Sequence, residues 1–217
     1  MSNENVKIYK SEIVITSIVT LCPIVIGLLL WNQLPDTIAV HFDSQNVPNG
    51  WSSKGFAVIG IPLFCFAAHL MSIIMFATDP KNRNVTRKLV VPIVWIVPIC
   101  SFFANGAMYL YELEKNVDMA LVVNIFVGVL FLIIGNYLPK CRQNYTIGIK
   151  TPWTLDNEEN WNKTHRFAGW CFLFGGVGFI INSLLQWKGF FVLVLLLCLL
   201  PIVYSFVLYQ RGRKAGE

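Results

Sequence analysis

The sequence predicts an all-α membrane protein, a bundle of six transmembrane helices with both termini in the cytoplasm. Six segments without Asp, Glu, Lys or Arg fill most of the 217 residues. Hydrophobic residues make up 55% of the chain and charged residues 13%, against about 25% charged residues in an average soluble domain. The mean hydropathy is +0.59. These values exclude a soluble globular protein.

Each apolar segment is long enough to cross a hydrocarbon core of about 30 Å as a helix. Because backbone groups cannot stay unpaired in lipid, we expect every segment to be helical. No small-x-small cleavage site follows the first segment, which is longer than a signal-peptide core, so we expect it to be retained. The expected spans are Ile13–Trp31, Phe56–Thr78, Leu89–Tyr111, Met119–Pro139, Phe167–Trp187 and Gly189–Gln210.

The distribution of positive charge predicts the orientation. Lys and Arg number 14 on the side that holds both termini and 3 on the other side. Positive residues stay cytoplasmic, so both termini should lie inside, and the net charge of +5 reflects topology rather than nucleic-acid binding. The connector Asp79–Lys88 contributes to this bias, and topology anchoring is a sufficient role for it. The 14 inner residues are Lys7, Lys10, Lys81, Arg83, Arg87, Lys88, Lys140, Arg142, Lys150, Lys163, Arg166, Arg211, Arg213 and Lys214, and the 3 outer ones are Lys54, Lys115 and Lys188.

No loop is long enough to hold a second domain, so we expect residues 1–217 to form one integral membrane domain. Its N-terminal part, residues 1–80, contains a loop predicted to lie outside, residues 32–55, which we call the outer loop. Its C-terminal part, residues 119–210, contains a loop predicted to lie inside, residues 140–166, which we call the inner loop.

The six cysteines are predicted to act as small buried hydrophobes rather than as disulfides or metal ligands. Five lie within apolar segments and Cys141 lies in the inner loop, and the chain contains no C-x-x-C motif. We therefore expect no cofactor and assign no metal.

The outer loop predicts a short strand over Thr37–Phe42 and a turn at Pro48-Asn49-Gly50. His41 and Asp43 are two residues apart, which would place them on one strand face. Such a pair is suited to binding a metal ion or to acid–base chemistry. Two ligands alone do not complete a zinc site.

The inner loop predicts a short helix over Asn157–Arg166 that runs into the fifth span. Asp156 is the expected N-cap, with Glu159 completing a capping-box-like pair. Trp161 and His165, four residues apart, should share one flank of this helix. The basic and aromatic side chains of the loop suit an anionic lipid head group or the acidic face of a partner, or they simply hold the loop at the inner leaflet.

Few polar groups lie within the spans. His69 is the one ionisable group well inside a span, and an interhelical hydrogen bond is a more common role for such a residue than proton relay. Asn105, Asn124 and Asn182 are the other notable polar groups. This composition argues against an ion-coupled transporter.

Both loops resemble the SdpI family of bacterial membrane proteins associated with immunity to a sporulation-delaying toxin. In the outer loop, Leu34-Pro35 through His41, Gly50, Trp51 and Lys54 resemble the uncharacterised N-terminal domain common in that family. Asn46 stands where Gly is common, and Asn tolerates the left-handed conformation that the turn needs. The inner-loop signature is Gly135-Asn136-Tyr137-Leu138-Pro139, Asn144, Gly148-Ile149-Lys150-Thr151-Pro152-Trp153-Thr154, Trp161, Thr164-His165-Arg166 and Gly169.

The resemblance implies a non-enzymatic membrane protein that protects its cell from a secreted antimicrobial peptide or protein. It also implies that a toxin-engaged family member holds a transcriptional repressor at the membrane. The alternative is a membrane enzyme or lipid-handling protein with its site in the inner loop and His165 as base. The residues expected to face the toxin are His41, Asp43, Gly50, Trp51 and Lys54, and those expected to bind the cytoplasmic partner are Asn144, Gly148, Lys150, Thr151, Pro152, Trp153, Thr154, Trp161, Thr164, His165 and Arg166.

Overall fold

The structure is a computed structural model that describes residues 8, 10–43, 45–81, 87–114 and 117–215. Its elements follow the chain as helices joined by short loops, with one β-hairpin in the outer loop. The helices are α1 (Lys10–Leu29), α2 (Ile61–Ala77), α3 (Arg87–Glu114), α4 (Met119–Tyr137), α5 (Pro152–Asp156), α6 (Glu158–Leu185) and α7 (Phe190–Ala215), and the strands are β1 (Thr37–Phe42) and β2 (Pro48–Ser53).

The predicted class of an all-α protein with six membrane-spanning helices is confirmed. Within the described residues, six helical segments are long and apolar enough to cross a membrane. Two of them include an irregular turn: π-helical Phe56–Gly60 leads into α2, and 3-10 helical Leu138–Lys140 follows α4. The helices α3 and α6 are longer than the uncharged segments predicted as spans. Charged residues at their ends can lie outside the hydrocarbon.

The chain forms two compact units. One, the hairpin unit, lies within Lys7–Thr78 and Val90–Val122. The other, the loop unit, includes Asp79–Leu89 and Val123–Glu217. The single-domain description from the sequence stays a prediction, as does the orientation. Among the charges that predict the orientation, Lys7, Arg83 and Lys115 and the side chain of Lys214 lie outside the described residues.

The strand predicted over Thr37–Phe42 is confirmed as β1, which pairs with β2 in an antiparallel hairpin. The turn predicted at Pro48-Asn49-Gly50 is wrong, because these residues begin β2. The chain reverses before Pro48, where the Asp43 carboxylate accepts the N–H groups of Gln45 and Val47 at 2.8 and 2.9 Å. An aspartate side chain that accepts N–H groups of the residues that follow it forms a turn of its own. The turn therefore lies at Asp43 and not at Pro48-Asn49-Gly50.

Asn46 fixes the tip of the hairpin in the hairpin unit. It adopts a left-handed conformation, φ 63°, as its place in the sequence predicts. Its amide donates to the carbonyl of Val117 at 3.0 Å and accepts the N–H of Met119 at 2.8 Å. These two side-chain bonds attach the hairpin to the start of α4, and a Gly at this position could not form them.

The base of the hairpin packs on a small apolar core. Leu34 and Ile38 from the outer loop meet Val58, Met108 and Tyr109, and all five are buried. Burial of each such side chain stabilises the folded state by roughly 1.5–3 kcal/mol. The core therefore holds the outer loop against helices of its own unit.

In the loop unit, glycines let α4 and α6 approach closely. A Cβ on Gly176 of α6 would lie 2.8 Å from the carbonyl oxygen of Gly128 on α4, and a Cβ on Gly128 would lie 2.9 Å from the carbonyl oxygen of Gly176. Small residues permit this backbone contact, which is the main source of attraction between helices in lipid. A short connection, residues 186–189, joins α6 and α7, and Gln186 caps α6 in a left-handed conformation, φ 50°.

We predict that Gly176→Ala destabilises the protein by about 1–3 kcal/mol, because the added methyl group forces α4 and α6 apart. Thermal unfolding in lipid nanodiscs measures the change. The matched control is Gly106→Ala in α3, since nothing lies within 4 Å of the position that a Cβ would take there. Equal melting temperatures for the two variants would contradict the close contact of α4 and α6.

Candidate functional site

Asn144 organises the first half of the inner loop. Its side chain is fully buried. The side-chain oxygen accepts the N–H groups of Thr146 and Ile147 at 2.9 and 2.6 Å, and the side-chain nitrogen donates to the carbonyl of Arg142 at 2.8 Å. One amide thus satisfies three backbone groups of the turn, which makes Asn144 part of the loop's frame.

Asp79 is a site residue that the sequence analysis missed. It lies in the connector Asp79–Lys88, to which we assigned only topology anchoring, and its side chain is buried. The carboxylate accepts the N–H of Tyr145 at 2.9 Å and the hydroxyl of Thr146 at 2.7 Å. Hydrogen bonds to a carboxylate are stronger than neutral ones, so the connector also holds the inner loop. The signal available in the sequence was a single acidic residue, Asp79, in an otherwise basic connector.

Lys81 adds a second link between the connector and the inner loop. Its ammonium donates to the side-chain oxygen of Gln143 at 2.9 Å and lies 4.9 Å from the ring centre of Tyr145. The amide nitrogen of Gln143 in turn donates to the carbonyls of Thr154 and Leu155, both at 2.9 Å. The connector, the first half of the loop and α5 are therefore joined by one hydrogen-bonded network.

Trp161 and His165 lie on one flank of α6, as predicted. Their rings stack with centroids 4.0 Å apart, and both side chains are buried. The indole nitrogen of Trp161 donates to the carbonyl of Cys141 at 2.7 Å. The predicted helix over Asn157–Arg166 is the first part of α6.

Both ring nitrogens of His165 are engaged by the backbone. Nε2 lies 3.0 Å from the N–H of Ile149 and must accept it, so Nδ1 carries the proton and donates to the carbonyl of Trp161 at 2.8 Å. Gly148 stands against the same ring with φ 112°, and a Cβ there would overlap Nε2. The ring therefore has no free acceptor for a substrate proton.

The capping pattern differs from the prediction by one residue. The N-cap of α6 is Asn157, whose side chain accepts the N–H of Asn160 at 2.8 Å, whereas Asp156 is the last residue of α5. The capping box belongs to α5, between Thr151 and Thr154. Asp156 was the wrong choice because the short helix before it was not predicted, and Pro152 begins that helix where Pro is well tolerated.

Trp153 and Thr164 attach the second half of the loop to α7. The indole nitrogen of Trp153 donates to the hydroxyl of Ser205 at 2.8 Å, and its ring lies 5.8 Å from that of Tyr209. The hydroxyl of Thr164 donates to the side chain of Asn160, which donates to the carbonyl of Ser205 at 2.9 Å.

The predicted inner-loop residues fall into a buried frame and an exposed surface. Lys150, Pro152 and Arg166 are exposed, and Tyr145 in the same loop is 46% exposed. Together with exposed Arg142 they present cationic and aromatic groups. The buried residues are Asn144, Thr154, Trp161, Thr164 and His165, and the partly buried ones are Gly148, Thr151 and Trp153.

The predicted outer-loop residues also divide. His41 and Trp51 are exposed, Trp51 by 61%. Gly50 lies across from His41, where a Cβ would come within 2.9 Å of the His41 Cβ. The Lys54 side chain is 12% exposed; its ammonium lies 3.2 Å from the Asp36 carboxylate and is thus part of the hairpin's support.

His41 and Asp43 do not form the predicted pair. Asp43 lies beyond the end of β1 and its carboxylate accepts backbone N–H groups, while the His41 ring bonds to the side chain of Asn49. The expectation that they share a strand face is wrong, since β1 has an irregular register at His41 and ends at Phe42. Among the described residues, no group of three or more His, Cys, Asp or Glu side chains is placed to hold a metal ion.

Both loops lie within segments that match known families. The model of the SdpI/YfhL protein family matches residues 140–205. A domain of unknown function, DUF1648, matches residues 18–66, which include the hairpin. The resemblance predicted from the two loop signatures is thereby confirmed.

The likeness extends along most of the chain. Immunity protein SdpI of Bacillus subtilis (strain 168) is 27% identical over 194 residues, which are 88% of this chain and 91% of that protein. No solved structure matches the chain. With six apolar helices and a segment that is similar to the SdpI/YfhL family, the protein is a multi-pass protein of the bacterial cell membrane.

We predict that Asp79→Ala loosens the inner loop and exposes Cys141. The variant removes the carboxylate that accepts the Tyr145 N–H and the Thr146 hydroxyl, at a cost of about 1–3 kcal/mol. Burial raises the pKa of the Cys141 thiol to about 11, against a weaker lowering by its hydrogen bond from Asn144. A raised pKa means less thiolate, so at pH 8 Cys141 should react with a maleimide slowly, by on the order of a hundredfold, relative to an unfolded cysteine.

The measurement uses a chain in which Cys141 is the single remaining cysteine, reconstituted in nanodiscs. Asp79→Ala should accelerate labelling at pH 8, and the exposed Asp156→Ala, also in the loop unit, should leave the rate unchanged. Equal labelling rates in both variants would show that Asp79 does not hold the loop.

Proposed function

We propose that this protein is a membrane immunity protein that protects a bacterial cell from a secreted antimicrobial peptide or protein. The observation that carries the proposal is the 27% identity to Immunity protein SdpI along 88% of the chain. A match of this length includes the hairpin and the inner loop together, so it concerns the whole membrane protein rather than one motif.

The toxin, in this proposal, is met by the outer loop. The hairpin exposes His41 and Trp51 and, beside them, the apolar side chains of Val40 and Val47. An exposed Trp among apolar neighbours is a typical binding anchor. The hairpin is held by Asn46 at its tip and by the apolar core at its base, so these side chains stand on a rigid support that does not have to be ordered by the toxin.

We further propose that the inner loop recruits a cytoplasmic partner, a transcriptional repressor. We call the exposed inner-loop residues Lys150, Pro152, Arg166 and Tyr145 the inner-loop surface. Its two cationic side chains suit an acidic face on that partner. The buried residues of the signature act by holding this surface in place. Toxin binding passes a signal only if the toxin prefers one arrangement of the inner loop over another.

The proposed protection is non-enzymatic. The relative is named an immunity protein, and in this chain the ring nitrogens of His165 are both taken by backbone groups. A general base must reach the proton that it removes. The geometry at His165 therefore gives no support to the alternative of a membrane enzyme or lipid-handling protein.

We predict that expression of the protein in a sensitive bacterium raises survival against a secreted sporulation-delaying-type toxin, and that Trp51→Ala lowers it. Loss of an exposed Trp anchor removes about 2 kcal/mol of binding free energy, which is about a 30-fold loss of affinity. Survival is measured over a toxin concentration series after equal membrane levels have been confirmed.

The matched control for this assay is Trp187→Ala. Trp187 is 57% exposed in the connection between α6 and α7, on the side predicted to face outward. It should retain full protection. Equal protection by Trp51→Ala and the unmodified protein would contradict a toxin site on the hairpin, and absence of any protection against that toxin would contradict the toxin class.

We predict that the double variant Lys150→Glu/Arg166→Glu abolishes toxin-dependent recruitment of the proposed repressor. Reversal of two exposed charges replaces attraction for an acidic face by repulsion. Recruitment is measured as membrane retention of the repressor carrying a fluorescent tag.

The control is Lys188→Glu, which reverses one charge on the side predicted to be extracellular. It should leave recruitment intact. If the double variant retains the repressor as well as the unmodified protein does, the inner-loop surface is not the partner's binding site, while the immunity proposal stands on the survival assay alone.

A further inference from the structure

The pairing of β1 with β2 determines which backbone groups of the hairpin point outward. In an antiparallel pair, opposite residues alternate between those that exchange hydrogen bonds and those whose N–H and C=O groups point away from the partner strand. The N–H of Lys54 donates to the carbonyl of Asp36 at 2.9 Å, next to the opposite residues Thr37 and Ser53. Residues 36 and 54 therefore exchange bonds, whereas the backbone groups of Thr37 and Ser53 point away from the partner strand.

The same alternation applies to Ala39 and Trp51, which lie opposite each other two residues further along. The register is regular up to this pair, so their N–H and C=O groups also point away from the partner strand. An independent contact agrees with this direction, because the N–H of Ala39 donates to the Glu112 carboxylate at 2.8 Å. On β2, the backbone groups of Trp51 and Ser53 therefore point toward the edge that does not pair with β1, which we call the free edge.

The two edges of the hairpin differ in how they are covered. On β1, the Glu112 carboxylate binds the outward N–H of Ala39. On β2, Trp51 and Ser53 are exposed, and apart from β1 the element in most extensive contact with this strand is the π-helical turn Phe56–Gly60 that follows it. Outward N–H and C=O groups on an edge strand form a template for another strand. The free edge of β2 is therefore the edge that can accept one.

The charge around the hairpin indicates which kind of strand fits. Residues 32–55 and 112–118 contain five acidic and two basic side chains, although the whole chain has a net charge of +5. Bonds from Ala39 to Glu112 and from Asn46 to the carbonyl of Val117 bring these two segments together. A cationic segment complements this charge, whereas a second copy of the hairpin would be repelled by it. The acidic residues are Asp36, Asp43, Glu112, Glu114 and Asp118, and the basic ones are Lys54 and Lys115.

We propose that the free edge of β2 binds a cationic peptide segment in an extended conformation, which adds to the hairpin as a third strand. The N–H and C=O groups of Trp51 and Ser53 exchange hydrogen bonds with the main chain of this segment. Such main-chain bonds supply affinity, and side chains such as the exposed Trp51 supply specificity. The proposal rests on the proposed function, since the segment is part of the toxin.

Amide hydrogen exchange in lipid nanodiscs, measured by NMR with and without the toxin of the survival assay, tests this binding mode. The N–H groups of Trp51 and Ser53 should exchange quickly in the free protein. Bound toxin should slow both by about tenfold or more, because each N–H becomes bonded to the added strand. The matched control is the N–H of Lys54, which is bonded to Asp36 without toxin and should not change.

The variant Ser53→Pro removes one outward N–H and leaves the bonds between β1 and β2 in place, and Pro is tolerated at such positions of an edge strand. Toxin binding should weaken on the order of tenfold, since one bond is lost and a carbonyl of the toxin stays unpaired. The matched control is Ser53→Ala, which removes the hydroxyl, keeps the N–H and should bind as the unmodified protein does. Unchanged exchange at Lys54 shows that the hairpin is folded in each variant.

Three results would overturn the proposal. The first is toxin binding that leaves exchange at Trp51 and Ser53 unchanged, or equal toxin affinity of Ser53→Pro and Ser53→Ala; the immunity proposal then still stands. The second is slow exchange at both N–H groups before toxin is added, which becomes faster on dilution into excess lipid, since a second copy of the chain then occupies the edge. The third is a protein that neither binds the toxin nor protects cells, in which case the proposed function itself fails and this binding mode fails with it.

Discussion

The contact between α6 and the inner loop is the interaction on which the exposed surface of that loop depends. The first turns of α6 carry Trp161 and His165, which bind the backbone of the loop at Cys141 and Ile149. Both bonds are formed by buried side chains, so each would leave an unsatisfied group if it were broken. A membrane-spanning helix thus serves as the rigid base of a loop that has little regular structure of its own.

This arrangement changes the meaning of the inner-loop signature. Asn, Thr, Trp and His are residue types that recognise ligands, and the sequence pattern favoured that interpretation. In the structure, Asn144 and Thr154 instead bond to backbone groups of the loop, and Thr164 bonds to the side chain of Asn160. Buried polar groups need such partners because water does not reach them. In the proposed function, recognition is the role of exposed side chains, chiefly Lys150 and Arg166.

The six spans, strand β1 and the pairing of Trp161 with His165 were predictable because each follows from local rules: hydrophobic length, alternation and helical spacing. The role of Asp79 and the turn at Asp43 were not, because each is decided by where one carboxylate finds backbone N–H groups. For Asp79 those groups lie more than 60 residues away. The N-cap at Asn157 was missed by one residue for a related reason, since it depends on α5, a helix of only five residues.

In each unit, a buried carboxylate accepts a backbone N–H group of a loop. Glu112 accepts the N–H of Ala39 in β1, and Asp79 accepts the N–H of Tyr145 in the inner loop. Because these groups are already paired, a toxin or partner gains little from them unless it first opens the loop, and opening leaves charged and backbone groups unsatisfied. In the proposed function, the free energy of binding therefore comes from the exposed residues. Substitution of a buried signature residue is expected to change folding and binding together. Substitution of exposed Trp51 or Lys150 is expected to change binding alone.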